Sequence, residues 1–110
     1  MDAQLKRGVL DVCVLAAIRK EDSYGYKIIK DVSPVLKLSE STLYTILKRL
    51  EEAKMLEVMT TMYEGRVRKY YHITKKGIER IEEFKNEWKE IMNIYSFIVK
   101  EEQLWEKENF

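Results

Sequence analysis

The sequence predicts a mainly α-helical chain with one small β-hairpin, an α+β class, and three observations predict it. Several stretches carry apolar residues at helical spacing. One segment, Leu56 to Ile73, instead alternates and turns at a Glu-Gly pair. The last third is a long heptad pattern without proline. At 110 residues the chain is expected to build one modest core.

Within the first helix, Val9 to Ile18 reads VLDVCVLAAI, with Asp11 its only polar residue. A helix apolar nearly all round is expected to be buried on more than one side. Its single cysteine, Cys13, reads as a small buried hydrophobe, with a redox-sensing thiol as the alternative. In the second helix Ile28, Ile29 and Val32 make a narrower stripe, and Pro34 closes it. The third helix opens at Ser39, whose hydroxyl can cap it, with Glu40 in the first turn. Leu43, Ile46, Leu47 and Leu50 form its apolar stripe. Ser41, Thr45, Lys48 and Glu52 lie opposite, with Thr42 and Arg49 on one shoulder and Tyr44 on the other. Hydroxyls, a tyrosine and basic residues on the outer face suit phosphates and base edges. An ordinary amphipathic surface helix has a polar outer face too.

The hairpin tilts the balance. Leu56, Val58, Thr60 and Met62 share one side of its first strand, and Glu57, Met59 and Thr61 the other. Glu64-Gly65 turns the chain, and Val67 to Ile73 returns it. Arg66, Arg68 and Lys69 cluster near the tip, where three cations suit a phosphate or minor-groove contact. Three helices followed by a cationic hairpin make a winged helix-turn-helix, residues 1–74. Residues 75–110 follow as a long helix capped by Thr74. Ile81, Phe84, Trp88, Ile91, Tyr95 and Ile98 recur at alternating intervals of three and four, widened by Met92 and Val99. The helix is expected to run to Val99, roughly 37 Å at 1.5 Å per residue. Glu102 interrupts the seam, which assigns Trp105 and Phe110 to a frayed tail. So long a stripe predicts a second protomer; the alternative is a helix folded back on its own domain.

Charge is divided unevenly. Residues 1–36 hold six basic and five acidic side chains, residues 37–76 nine and five, and residues 77–110 five and nine. The regional balances of +1, +4 and −4 hide inside a net charge of +1. The positive balance coincides with the third helix and hairpin. No apolar run is long enough to span a membrane, and the N-terminus lacks the apolar core of a secretion signal, so a cytoplasmic location is expected. An enzyme is not expected. The single histidine, His72, has no paired nucleophile, and the sequence has neither a metal-ligand cluster nor a glycine-rich phosphate loop. His72 reads as structural, with pH sensing as the alternative. No metal or other cofactor is expected.

Four motifs carry a family resemblance. They are Leu5-Lys6-Arg7-Gly8-Val9-Leu10 with Val14-Leu15; Ser23-Tyr24-Gly25-Tyr26-Lys27-Ile28-Ile29; Ser41-Thr42-Leu43-Tyr44-Thr45-Ile46-Leu47-Lys48-Arg49-Leu50-Glu51; and Gly65-Arg66-Val67-Arg68-Lys69-Tyr70-Tyr71-His72-Ile73-Thr74 with Gly77. In this order and spacing they resemble the PadR family of bacterial transcriptional regulators over almost the whole chain. One departure is Lys54, where the family usually has glycine. A left-handed residue there costs a non-glycine about 1 kcal/mol, so the helix end is expected to be built differently.

A two-fold dimer would present two probe helices about 34 Å apart, one DNA turn, to a pseudo-palindromic operator. The expected DNA contacts are Ser41, Thr42, Tyr44, Thr45 and Lys48 on the helix, Arg66, Arg68 and Lys69 on the wing, and Lys6 as an outlying phosphate contact. The resemblance implies repression. It also implies a ligand site, because short members with a tryptophan near this point include multidrug sensors that bind between their long helices. Trp88, Phe84, Met92 and Tyr95 would then hold a planar aromatic effector between subunits. Met92 stands about where such sensors can carry an acid, which weakens the case for a cationic drug. The alternatives are a tryptophan that only fills the dimer core and, for the whole chain, a protein-docking winged helix that does not bind DNA.

Overall fold

The computed structural model describes residues 1–110, in the order α1 (Ala3–Ala17), α2 (Gly25–Val32), α3 (Glu40–Glu52), β1 (Leu56–Tyr63), β2 (Arg66–Ile73) and α4 (Lys75–Asn109). One core holds the head of the molecule together. It joins Leu10, Val14, Leu15 and Ile18 of α1 and its C-cap to Ile28 of α2, the α3 stripe, Leu56, Tyr71, Ile73 and Ile81. Asp11 is explained by its partner: its carboxylate pairs with Arg49 of α3, both half-buried. Arg49 therefore faces inward to α1, away from the outer shoulder its spacing suggested. Cys13 is half-buried in α1, and burial raises its thiol pKa.

Both caps foreseen at helix starts form. Ser39 Oγ accepts from Thr42 N–H at 3.2 Å, and Thr74 Oγ1 accepts from Gly77 N–H at 3.2 Å. The end of α3 is not built differently, as the lysine had suggested. Lys54 takes the left-handed conformation itself, with φ 61°. Its N–H donates to the Glu51 carbonyl, and Met55 N–H donates to the Leu50 carbonyl. That pair of bonds is the Schellman closure. The Lys54 carbonyl also accepts from the Thr74 hydroxyl at 2.7 Å. The surrounding bonds offset the strain and keep the glycine-like geometry.

The hairpin pairs antiparallel from Leu56↔Ile73 out to Tyr63↔Arg66. Glu64 (φ 49°) and Gly65 (φ 76°) form the two-residue turn, both left-handed, as a tight twist-matched hairpin needs. Ser23 bridges Tyr71 as a third, one-residue strand that moors the hairpin to the start of α2. Gly77 lets α4 come close. A β-carbon there would stand 2.3 Å from the Met55 carbonyl and 2.7 Å from Ile73.

The largest departure from expectation is the end of α4. It continues through Glu102 to Asn109, 35 residues in all, about 52 Å. Leu104, Trp105 and the acids on either side of them are therefore helical and not a frayed tail. The segment KEEQLWEKE has no helix breaker and is rich in good helix formers. Trp105 and Phe110 meet edge to face, and the Asn109 side chain donates to the Trp105 carbonyl at 2.7 Å. One polar residue in an apolar seam breaks a stripe, not a helix.

Candidate nucleic-acid interface

The third helix presents its outer face as its pattern required. Ser41, Thr42, Tyr44, Thr45 and Lys48 are all exposed. Some of their hydroxyls are already engaged. Ser39 donates to the Thr42 hydroxyl at 2.8 Å, and Thr45 donates to the Ser41 carbonyl at 3.1 Å. Lys48 makes no ion pair and stands free. Tyr44 leans over the start of α2, with its hydroxyl 3.0 Å from where a β-carbon of Gly25 would stand. It thereby fixes how closely α2 and α3 approach.

The three wing cations line one groove, but their surroundings differ. Strand alternation places Arg66 and Arg68 on one face of β2 and Lys69 on the other. Lys69 shares a hollow with Tyr44, Lys48 and Tyr71, directly between α3 and the hairpin. Arg66 is exposed at the rung next to the turn. Arg68, read as an exposed tip cation, is half-buried. Its guanidinium lies 4.1 Å from the ring centre of Tyr24 and 4.0 Å from that of Tyr63, and it donates to the Tyr70 hydroxyl at 3.4 Å. The groove between α3 and the wing has a volume of about 890 Å³, and Tyr24, Tyr26, Tyr44 and Tyr63 line it beside the cations. The sequence reading missed Tyr24, Tyr63 and Tyr70. Counting β2 in twos from Arg66 would have placed Arg68 and Tyr70 on the same face.

Lys6 is exposed near the start of α1 and makes no hydrogen bond or ion pair through its side chain with α3 or the hairpin. Its neighbours Leu5, Gly8 and Val9 face a different place, a depression of about 150 Å³ against Phe84, Trp88 and Ile91 of α4. Here Phe84 stacks on Trp88, with centroids 5.8 Å apart and rings 15° from parallel. Met92 and Tyr95 do not line this depression; they lie further along α4, exposed. Ile94, Phe97 and Leu104 are exposed too and widen the apolar surface beyond the heptad seam. Their own spacing of three and seven lies beside the heptad seam, not within it. His72 closes the base of the wing, its Nδ1 2.6 Å from Asp22 Oδ1. No helix is long and apolar enough to cross a membrane, and no group of three His, Cys, Asp or Glu side chains is placed to hold a metal ion.

Comparison with known proteins places this architecture. The family model described as the transcriptional regulator PadR-like family matches residues 14–83, from within α1, through the recognition helix and wing, into α4. The chain belongs to the PadR-like family of transcriptional regulators. An uncharacterized protein from Lysinibacillus sphaericus is 36% identical to this PadR-family chain over 93 residues, 80% of this chain and 85% of its own. A PadR-like transcriptional regulator from Bacillus cereus superposes with a TM-score of 0.75 at 34% identity, over 88% of this chain and 97% of its own. Bacillus subtilis PadR, solved in complex with operator DNA, superposes with a TM-score of 0.65 at 23% identity, over 69% of this chain and 46% of its own. That last likeness is one of fold. The PadR-family chain is thus a winged helix-turn-helix regulator with a long C-terminal helix. Its family and its structural neighbours are transcription regulators, not enzymes.

Proposed function

We propose that this PadR-family regulator acts as a homodimeric repressor that grips a pseudo-palindromic operator in the cytoplasm. The observation that carries this reading is one juxtaposition. Exposed Lys48 and Tyr44 on α3 and Lys69 on β2 border a single hollow, which Glu51 also lines, with Arg66 further out on the wing. A phosphate backbone entering that groove meets cations from both walls, while Ser41, Thr42 and Thr45 face the bases. Lys6 stands apart from this surface, so its contact would be with phosphates further along the duplex. Residues 75–110 pair two copies through Ile81, Phe84, Trp88, Ile91, Tyr95 and Ile98. Ile81 is already buried in its own core, so the seam proper begins at Phe84. Ile94, Phe97 and Leu104 extend it.

A planar aromatic effector fits between the subunits beside Trp88. One protomer supplies only a 150 Å³ depression, short of the roughly 300 Å³ where ligand sites begin. Two halves brought together reach that scale. Phe84 already covers one face of the indole, so the effector would take the other, with Met92 and Tyr95 further along the helix.

The test is a mobility shift with the region upstream of the chain's own gene, across a range of salt. Binding that weakens steeply with salt is expected. No binding even at low salt would favour the protein-docking reading. Lys48→Ala should weaken binding and lower the salt slope by about one, the signature of one lost phosphate contact. An unchanged slope and affinity would remove Lys48 from the interface. Planar dyes should quench the intrinsic fluorescence of the wild type and leave Trp88→Ala unresponsive; no quenching by a broad panel would leave Trp88 a packing role only.

A further inference from the structure

We propose that Arg68 is the positioning residue of the wing: clamped between Tyr24 and Tyr63, it sets the angle at which the hairpin meets the recognition helix, and it does not contact a DNA phosphate. The proposal rests on the DNA-binding reading above and assigns one of its cations a different task.

The geometry carries it. Three elements converge on one guanidinium: Tyr24 at the N-cap of α2, Tyr63 at the end of β1, and Arg68 and Tyr70 on β2. Two ring faces lie about 4 Å from the guanidinium carbon. Tyr70 accepts one of its N–H groups at 3.4 Å and itself meets Tyr24 edge to face, centroids 5.6 Å apart. The hydrogen bond to Tyr70 raises the Arg68 pKa further, so the cation persists at any working pH.

The clamp is also placed where it has most leverage. Arg68 pairs with Thr61, the third rung inward from the turn. Every residue of β1 from Met59 outward is exposed, so the outer hairpin has no core of its own. A lone two-stranded ribbon is marginal in water. The Ser23–Tyr71 bridge moors the base of the hairpin, and the Arg68 stack ties its outer rungs to the start of α2, whose Gly25 in turn abuts Tyr44 of α3. A planar guanidinium can lie between two rings; a lysine ammonium, compact and strongly hydrated, cannot replace it there. Arg66 and Lys69, by contrast, make no ion pair and remain free for phosphates.

The experiment compares wild type with R68K, R68A and Y24L by two readouts. The first is amide hydrogen exchange in Thr61 to Val67, with the core of α3 as internal reference, and it needs no DNA. The second is affinity for a random-sequence duplex as a function of salt. All three variants should speed exchange in the outer rungs by about ten-fold, the scale of one or two cation–π contacts, with α3 unchanged. R68K and Y24L should weaken DNA binding about as much as R68A, although neither removes a charge. The proposal is overturned if exchange in the outer rungs stays at the wild-type rate in these variants. It is equally overturned if R68K binds like wild type while R68A alone lowers the salt slope by about one, which marks a direct phosphate contact. If wild type does not bind duplex at low salt, the DNA reading fails by itself, and the exchange rates still decide whether the clamp exists.

Discussion

Helices α3 and α4 carry the same kind of apolar stripe and meet opposite fates. On α3, Leu43, Ile46, Leu47 and Leu50 are at most 3% exposed. On α4, Trp88, Ile91, Tyr95 and Ile98 are 38–58% exposed, although their spacing is the more regular of the two. Periodicity states that a face must be covered; it does not state by what. The stripe of α3 spans about two turns, and α1, α2 and the base of the hairpin suffice to cover it. Helix α4 parts from the core after Phe84 and continues for another 25 residues, with its stripe uncovered as far as Ile98. The molecule is 69 Å long and only 25 Å across as a result. In the homodimer proposed above, a second chain covers it.

The sharpest way to break the contrast is to charge the uncovered stripe. Ile91→Asp with Ile98→Asp should leave the fold intact and give single chains by ultracentrifugation at micromolar concentration. Each seam position counts twice in a symmetric dimer, and a buried isoleucine contributes roughly 1.5–3 kcal/mol. An intact dimer would mean that the seam is not the interface. Next comes the covered stripe: Leu47→Ala should destabilise the head by about 2–5 kcal/mol in denaturant unfolding, through lost contacts and the cavity left behind. If Ile98→Ala cost as much in a monomeric background, the distinction between the two helices would fail. A smaller effect of opposite sign is expected at the end of α3. Lys54→Gly should stabilise the chain by about 1 kcal/mol by relieving the left-handed strain, read from the denaturant midpoint. The smallest effect tests where α4 is seated. Glu82 bonds Arg19 at 2.8 Å and, through that bond first and Lys85 second, its carboxyl pKa lies below the ordinary value. The pair therefore contributes at neutral pH, and its contribution is lost as pH falls through the carboxylate range. Glu82→Gln should lie slightly below wild type at pH 7 and converge with it in acid.

Much of this was legible in the residues because it is local chemistry. Ser39 and Thr74 cap because a hydroxyl at that place has only one good use. Glu64-Gly65 turns because both residues must go left-handed. What the sequence hid was non-local. Asp11 looked like an intrusion in an apolar helix until Arg49, 38 residues on, met it. Arg68 looked like one of three equal cations until Tyr24, from a different element, closed over it. The end of α4 was hidden for another reason. The seam ended at Glu102, but a helix needs only permissive residues to continue, and the tail has them. Lys54 takes the left-handed conformation its position demands without rebuilding the helix end, because the bonds that hold it come partly from Thr74, 20 residues away.

Thr74 is all that separates the last rung of the wing from the first turn of α4. Its hydroxyl is bonded on one side to the Lys54 carbonyl and on the other to the Gly77 amide. There is no slack at this joint. A twist applied far down the long helix has nowhere to dissipate before it reaches Ile73 and the strand beyond. In the proposed dimer, whatever sets the crossing of the two long helices would also set how far apart their wings stand.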